Sequence, residues 1–203
     1  APNFEYFCKK ATMPMKKIVL IFAAMVFVII ACNNQKSQDQ SNTIAQEVNS
    51  SKEKITASQD DQYISRAKEI AQSTGTSLMG ELSKAMGEGG VINAVEYCSL
   101  NALPLTDSMS KIHNVEITRI SHKNRNPGNE ASTAELEIIS SYIGKQNEGT
   151  QLKPLVKTSD KAHTVYIPIK VKGLCLNCHG EVGKDIADEN YIVISNLYPD
   201  DRA

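Results

Sequence analysis

Five consecutive residues, Cys175-Leu176-Asn177-Cys178-His179, form a C-x-x-C-H run that ends at a glycine. Two thiols at this spacing can add across the two vinyl groups of haem b, and the adjacent imidazole then becomes the proximal ligand of the iron. A closed zinc site would need a second Cys/His pair at similar spacing, and the sequence has none. A redox C-x-x-C pair usually opens a helix after a strand and does not require the histidine. The run therefore predicts one covalently attached haem c.

The second axial position of such an iron needs a ligand or stays open. Of the five cysteines, two belong to the haem motif, Cys32 is a candidate for lipidation and Cys8 precedes the expected start of the protein, which leaves Cys98. In an oxidising compartment an unpaired cysteine is expected to be buried or bound. Cys98 lies on an apolar helical stripe, so a buried structural cysteine is one interpretation and an axial ligand is the other. Methionine and histidine can also be axial ligands of haem iron, so six other residues compete with Cys98 for this position: Met79, Met86, Met109, His113, His122 and His163.

The amino-terminal region has the pattern of an export signal. Lys16 and Lys17 precede an apolar run at residues 18–31, which is short for a membrane span and suits a signal peptide. The run ends in Ile-Ile-Ala-Cys, which resembles a lipobox with Cys32 as the acylated residue. An uncleaved anchor with an incidental cysteine is the alternative. Both interpretations predict export to the cell envelope of a bacterium, with the domain facing the periplasm or the outer surface. The favoured lipobox interpretation makes lipid at Cys32 the membrane anchor.

These observations divide the 203-residue chain into four parts. Residues 1–12 precede a plausible start and are interpreted as upstream read-through outside the fold. Residues 13–31 are the signal peptide. Residues 32–61 are polar and poor in large apolar side chains, which predicts a flexible tether. Residues 62–203 are expected to form one haem-binding domain.

The charge balance excludes one class of partner. The chain has 22 Lys and Arg against 23 Asp and Glu, a formal net charge of −1, and no basic arm. We therefore expect no nucleic-acid partner.

Periodicity predicts mixed secondary structure. Apolar residues at three- and four-residue spacing predict a helix from about residue 62 to residue 86, a glycine-rich break, and a second helix to residue 112 that Pro104 should kink or interrupt. Alternation predicts strands at residues 115–120 and 164–171, and a further short element is expected at residues 192–197. Ser132 and Glu135 have the spacing of a capping box at the start of another helix. The fold class is therefore α+β, with an antiparallel sheet and amino-terminal helices.

Four strings occur in an order that is more specific than the haem motif alone. They are Ala94-Val95-Glu96-Tyr97-Cys98, Arg119-Ile120-Ser121-His122-Lys123-Asn124-Arg125-Asn126-Pro127, Cys175-Leu176-Asn177-Cys178-His179-Gly180 and Leu197-Tyr198-Pro199-Asp200-Asp201. Together they resemble the DUF3365 family of exported haem-c domains. The resemblance implies a PAS-like fold, one covalent haem, His179 as proximal ligand and Cys98 as distal thiolate. In that family a glycine-rich turn and a last strand follow the fourth string; the sequence does not contain them, so we expect the sheet to lack that strand.

Two further residues are candidates for contact with the haem. Arg125 and Asn126 lie in a turn, and a guanidinium pairs well with a haem propionate. The alternative is that both residues only form a tight turn around Pro127.

Three functions are compatible with these features. A membrane-tethered redox or gas sensor that binds CO or NO is favoured, and it would need a separate redox or signalling partner protein. The alternative is a periplasmic electron-transfer cytochrome c. A haem enzyme needs an open distal site, which a Cys98 ligand would close, so no enzymatic activity is expected.

Overall fold

The computed structural model describes residues 6–14, 40–171 and 173–201. Its helices and strands, in chain order, are β1 (Tyr6–Pro14), α1 (Gln40–His113), β2 (Glu116–Ile120), α2 (Thr133–Asn147), β3 (Leu155–Thr158), β4 (Ala162–Lys170), α3 (Leu176–His179) and α4 (Asp188–Leu197). Short 3-10 turns cover Pro127–Asn129 and Gly173–Cys175. The predicted α+β class is confirmed.

The long helix α1 is folded into a hairpin. Gly89 and Gly90 have non-helical backbone angles, and the φ of 71° at Gly90 is one that glycine adopts easily. The first arm (residues 40–88) and the second arm (residues 91–113) therefore run back along each other. Asn93 Nδ2 donates to the Ala85 carbonyl at 2.7 Å beside the bend, and Tyr97 donates to Glu81 at 3.1 Å. The predicted glycine break is confirmed.

Pro104 does not interrupt the second arm, contrary to the prediction. Within α1 the non-helical angles are those of Gly89 and Gly90, and the helix continues past Pro104 to His113. The carbonyl that a proline leaves without a helical donor belongs to the residue four positions earlier. That residue is Leu100, which is 75% exposed, so water can reach this side of the helix.

The sheet has four antiparallel strands in the order β2-β1-β4-β3. Lys9 of β1 lies opposite Arg119 of β2 on one side and opposite Ile167 of β4 on the other. Because β2 and β4 are each antiparallel to β1, they run in the same direction. Their carboxyl ends therefore meet at one end of the sheet.

Helices cover both faces of the sheet. One face packs on α1 through a cluster of Ala11, Met13, Ala67, Ile70, Met109, Val115, Ile117 and Val165. The other face packs on α2 through Ile120, Ala131, Ile139, Tyr142 and Tyr166. Neighbouring residues such as Val165 and Tyr166 point to opposite faces, as the period of a strand requires. A third cluster joins Val95 of the second arm to Ile186 and Ile194 near α4.

The other predicted elements are found close to their expected positions. Ser132 precedes α2, and its backbone N–H and its hydroxyl donate to Glu135 at 3.0 and 2.7 Å, which gives the expected capping contact. β2 and β4 are the two predicted strands, and α4 is the expected short element. The strand β3 was not predicted, because four residues that include a lysine give little alternation.

The structure differs from the expected division of the chain at its amino-terminal side. Residues 6–14, which include most of the segment interpreted as read-through, form the strand between β2 and β4. Ala11 and Met13 are buried there against α1, although Met13 was assigned to the signal peptide. β1 pairs with both β2 and β4. The sequence did not indicate this strand, because the basic and apolar residues of a leader-like run follow it directly.

The predicted tether is also partly helical. Residues 40–61 belong to the first arm of α1. A segment with few apolar side chains can still be helical, because Gln, Glu, Lys and Ala are good helix formers. Residues 15–31 and the lipidation candidate Cys32 lie outside the described residues. Within the described part of the chain, no helix has the length and apolar character needed to cross a membrane.

Candidate functional site

A cavity of about 290 Å³ lies between the α1 hairpin, the carboxyl ends of β2 and β4, and the C-x-x-C-H segment. Most of its wall is apolar, as in typical small-molecule pockets. The apolar and glycine residues of its wall are Ala71, Gly75, Leu78, Met79, Leu82, Met86, Ala94, Val95, Ala102, Leu103, Ile169, Val171 and Leu174. The polar residues and cysteines are Cys98, Arg119, Arg125, Asn126, Asn129, Lys170, Cys175, Cys178, His179 and Tyr198.

Both arms of α1 contribute one face to this cavity. On the first arm, Gly75, Leu78, Leu82 and Met86 recur at three- and four-residue spacing, which places them on one side of a helix. On the second arm, Ala94, Cys98 and Ala102 recur at four-residue spacing, so they also lie on one side of the helix. The hairpin thus presents Cys98 within a small-residue face that leaves space in front of the thiol.

Two glycines shape the C-x-x-C-H segment. Gly173 has a φ of 56°, so the chain can turn sharply after β4. Gly180 follows His179 where a Cβ atom would collide with Asp185 and would lie 2.5 Å from the Leu176 carbonyl oxygen. A larger residue at either position would displace the segment that carries Cys175, Cys178 and His179.

The structure brings all six predicted haem-contact residues to this one cavity. Cys98, Cys175, Cys178 and His179 line it from the helical hairpin and from α3 with the turn before it. All four are partly buried. Arg125 and Asn126 line it from the loop after β2. Residues separated by as many as 81 positions in the sequence (Cys98 and His179) therefore share one site.

The competing axial ligands are separated by the fold. Met79 and Met86 line the cavity together with Cys98. Met109 is buried in the core between α1 and the sheet. His113 Nε2 is hydrogen-bonded to Ser73 Oγ at 3.3 Å, and the ring of His163 is stacked on that of Tyr63 with centroids 4.1 Å apart. Neither these histidines nor His122 belongs to the cavity wall.

Arg125 is already engaged by another residue of the chain. Its Nε donates to Asp201 Oδ2 at 2.9 Å, and the two side chains are only 10% and 13% exposed. The guanidinium carbon lies 5.9 Å from the ring centroid of Tyr198. Asn126 accepts a hydrogen bond from the Gly128 N–H at 2.8 Å and begins the turn at Pro127. Asn126 therefore takes part in the turn weighed as the alternative, whereas Arg125 forms an ion pair with Asp201; both residues line the cavity.

Arg119 is the site residue that sequence reasoning missed. It lines the cavity from β2, and its Nε is buried with no hydrogen-bond partner among the described residues. A usable signal was present in the sequence. Alternation in β2 places Arg119 on the same face as the buried Ile117, and a cation on the buried face of a strand needs an anionic partner.

The two arginines and the cavity thiols influence each other. Burial raises the pKa of the Cys98 thiol, whereas the nearby positive charges of Arg119 and Arg125 lower it, and the net change is upward. Burial likewise raises the pKa of Cys178, against a lowering by Arg125. Burial lowers the pKa of Arg119, and Cys98 and Tyr198 oppose that change. The thiols therefore rest in their neutral form in the protein alone, next to cations that favour the thiolate.

These residues fit a haem group in three respects. The walls are apolar, the thiols and the imidazole have the types and spacing for covalent attachment and axial ligation, and Arg119 offers an unsatisfied donor for an acid group. Gly75 adds room, because a Cβ atom there would meet nothing within 4 Å. Among the described residues, no group of three His, Cys, Asp or Glu side chains is arranged to hold a metal ion.

Comparison with known families gives one match. A family model described as Tll0287-like matches residues 33–203, and this is the DUF3365 family that the motifs resemble. The match covers the helical hairpin, the cavity residues and the C-x-x-C-H segment. Searches among curated proteins and among solved structures gave no match.

Proposed function

Because the chain belongs to the Tll0287-like family of cytochrome c-type haem domains, we propose that it is a membrane-tethered monohaem sensor of the cell envelope. In this proposal Cys175 and Cys178 hold one haem c covalently, and His179 and Cys98 are its axial ligands. The observation that carries the proposal is the single cavity lined by these four residues.

Cys98 is favoured over the two methionines as the distal ligand. Met79 is 41% exposed at the cavity edge. Cys98 instead faces Arg119 and Arg125, whose charges stabilise a thiolate. A metal ion favours deprotonated sulfur still further. The two cations therefore support a ligand that carries negative charge, which methionine does not.

Haem supplies a redox-active iron whose potential follows the identity of its axial ligands, over a range of about 0.8 V. A Cys98 thiolate stabilises the oxidised state and lowers the potential relative to methionine ligation. If a redox partner protein supplied one electron, the iron–sulfur bond would weaken, and Cys98 could take up a proton from solvent and leave the iron. Its position would then be open to a small gas such as CO or NO, while His179 would hold the other side. No catalytic turnover is expected while Cys98 occupies that position.

The remaining parts of the proposal concern fold and location. An antiparallel sheet with the α1 hairpin packed on one face, α2 on the other, and a cavity beside the hairpin is compatible with a PAS-like sensor domain. The basic and apolar residues before Cys32 favour export and acylation, which would hold the domain at a bacterial membrane. Replacement of Cys32 by serine should move the protein from the detergent phase to the aqueous phase. Unchanged partitioning of that variant would contradict lipidation at this residue.

Covalent attachment is tested by mass spectrometry and haem staining of the denatured protein matured in a periplasm. The wild type should carry the mass of one haem, and the double variant Cys175→Ser/Cys178→Ser should carry none. Cys98→Ser is the matched control, because it removes a thiol from the same cavity and should keep the covalent haem. Denatured wild-type protein without haem mass would overturn the assignment.

Sensing is distinguished from electron transfer by the response to reduction. A sensor should lose its Cys98 ligand on reduction and then bind CO, whereas the ferrous Cys98→Ser protein should bind CO without a preceding loss of sulfur. An electron carrier keeps the same ligands in both oxidation states. A ferrous spectrum that CO leaves unchanged would therefore favour the periplasmic electron carrier.

A further inference from the structure

Arg119 is a partly buried cation, and the proposed axial ligation leaves its Nε without a hydrogen-bond acceptor. Its Nε makes no hydrogen bond within the described chain and is shielded from solvent. A buried charge is tolerated when a partner and hydrogen bonds compensate its desolvation. Within the cavity the neighbours that affect its ionisation are Cys98 and Tyr198, and neither is a carboxylate.

The strand register fixes where this side chain lies. Arg119 and Ile167 both lie opposite Lys9, so they occupy the same rung of the sheet on either side of β1. Two residues beyond Ile167, on the same face, is Ile169, which lines the cavity as Arg119 does. The guanidinium is therefore held by the rigid sheet at the cavity wall.

The geometry points to a carboxylate as the missing partner of Arg119. A guanidinium presents a planar fork of donors that matches a carboxylate in two parallel hydrogen bonds. A haem carries two propionates, and covalent attachment through Cys175 and Cys178 would hold it in this cavity. We propose that Arg119 binds one haem propionate, an inference that rests on the proposed haem function.

This assignment replaces the sequence-based role of Arg125. The Nε of Arg125 is occupied by Asp201 at 2.9 Å, whereas the Nε of Arg119 is not occupied by any described residue. Arg125 joins the loop after β2 to the segment that contains Tyr198 and Asp201. Arg125 acts as a positioning residue for that segment, and Arg119 is the residue that contacts the cofactor.

The test compares Arg119→Gln and Arg119→Lys with Arg125→Gln, which examines the competing assignment, and with the control Lys157→Gln, an exposed cation of β3 outside the cavity wall, each as the haem-loaded protein. Haem content is measured first on denatured protein, because its absence from the wild type would overturn the haem function itself. Resonance Raman spectra then report the propionate bending band, and potentiometry from pH 5 to pH 8 reports proton uptake coupled to reduction.

Removal of the Arg119 guanidinium should shift the propionate band and make the midpoint potential depend on pH. The reason is that an unpaired propionate in an apolar cavity binds a proton more readily. Arg119→Lys keeps the charge without the fork, so it should shift the band in the same direction by less. Lys157→Gln should leave both readouts unchanged, and Arg125→Gln should shift the propionate band less than Arg119→Gln does.

Two results would overturn the inference. One is a haem-loaded Arg119→Gln protein whose band and pH profile match the wild type. The other is a band shift in Arg125→Gln but not in Arg119→Gln. If Arg119→Gln fails to accumulate, Arg119→Lys decides the question, because a wild-type band in that variant excludes a bidentate contact.

Discussion

The ion pair between Arg125 and Asp201 should contribute measurably to the stability of the fold. Its two atoms are 2.9 Å apart, and the side chains are 10% and 13% exposed, so solvent screens the pair weakly. Breaking a buried pair by removing one partner costs about 3–5 kcal/mol, against about 0–1 kcal/mol for an exposed pair. Because a small part of this pair reaches water, we expect Asp201→Asn to lower the free energy of unfolding by about 3 kcal/mol. Such a loss corresponds to a decrease in Tm of about 6–12 °C.

The assay is urea unfolding of the haem-loaded protein, followed by far-UV circular dichroism. Asp200→Asn is the matched control, because the neighbouring carboxylate is exposed and its loss should change the free energy by no more than about 0.5 kcal/mol. The double variant Arg125→Gln/Asp201→Asn should be more stable than the sum of the single losses predicts, by at least about 1 kcal/mol. Additive effects within about 0.5 kcal/mol would show that the two side chains do not stabilise each other, and would refute the reasoning.

Three other changes test the core, the cavity and its thiols. Ile139 is 1% exposed between α2 and the sheet, so Ile139→Ala should cost about 2–5 kcal/mol in urea unfolding, and a loss below 1 kcal/mol would contradict its packing role. Gly75→Ala should stabilise the helix by up to about 1 kcal/mol. Gly75→Leu should instead lower the ratio of haem to protein, and a normal haem content of this variant would show that the haem lies elsewhere. Folding raises the pKa of Cys98 and of Cys178, so haem-free protein should lose stability as the pH rises through the ordinary thiol range. At pH 8 both thiols should react with iodoacetamide more slowly in the folded protein than in the urea-unfolded chain. Equal alkylation rates in the folded and unfolded chains would contradict this burial.

Local chemistry made part of the site predictable from the sequence. The C-x-x-C-H run is complete within five residues, so its chemistry does not depend on the fold. Cys98 could be selected as a candidate because helical periodicity and the cysteine count both involve it. Its meeting with His179 depends on the hairpin at Gly89 and Gly90 and on the packing of that hairpin against the sheet, which a local pattern does not encode.

The missed features depend on long-range pairing. Alternation in β2 places Arg119 on the face of Ile117, but the packing of α1 on that face, which a local pattern does not encode, is what brings Arg119 to the cavity. β1 was set aside because residues 6–14 lie next to a leader-like run, and their strand character comes from the partners on either side. The helix at residues 40–61 shows that a polar composition alone does not determine whether a segment is helical.

The central claim is that Cys98 and His179 are the two axial ligands of a covalently held haem. Low-temperature EPR of the ferric protein tests it most directly, with Cys98→Ser as the matched variant. We expect a low-spin signal with the narrow g-spread of thiolate ligation in the wild type, and its loss in Cys98→Ser. A wild-type signal typical of His/Met or His/His ligation would contradict the claim, and so would a high-spin signal.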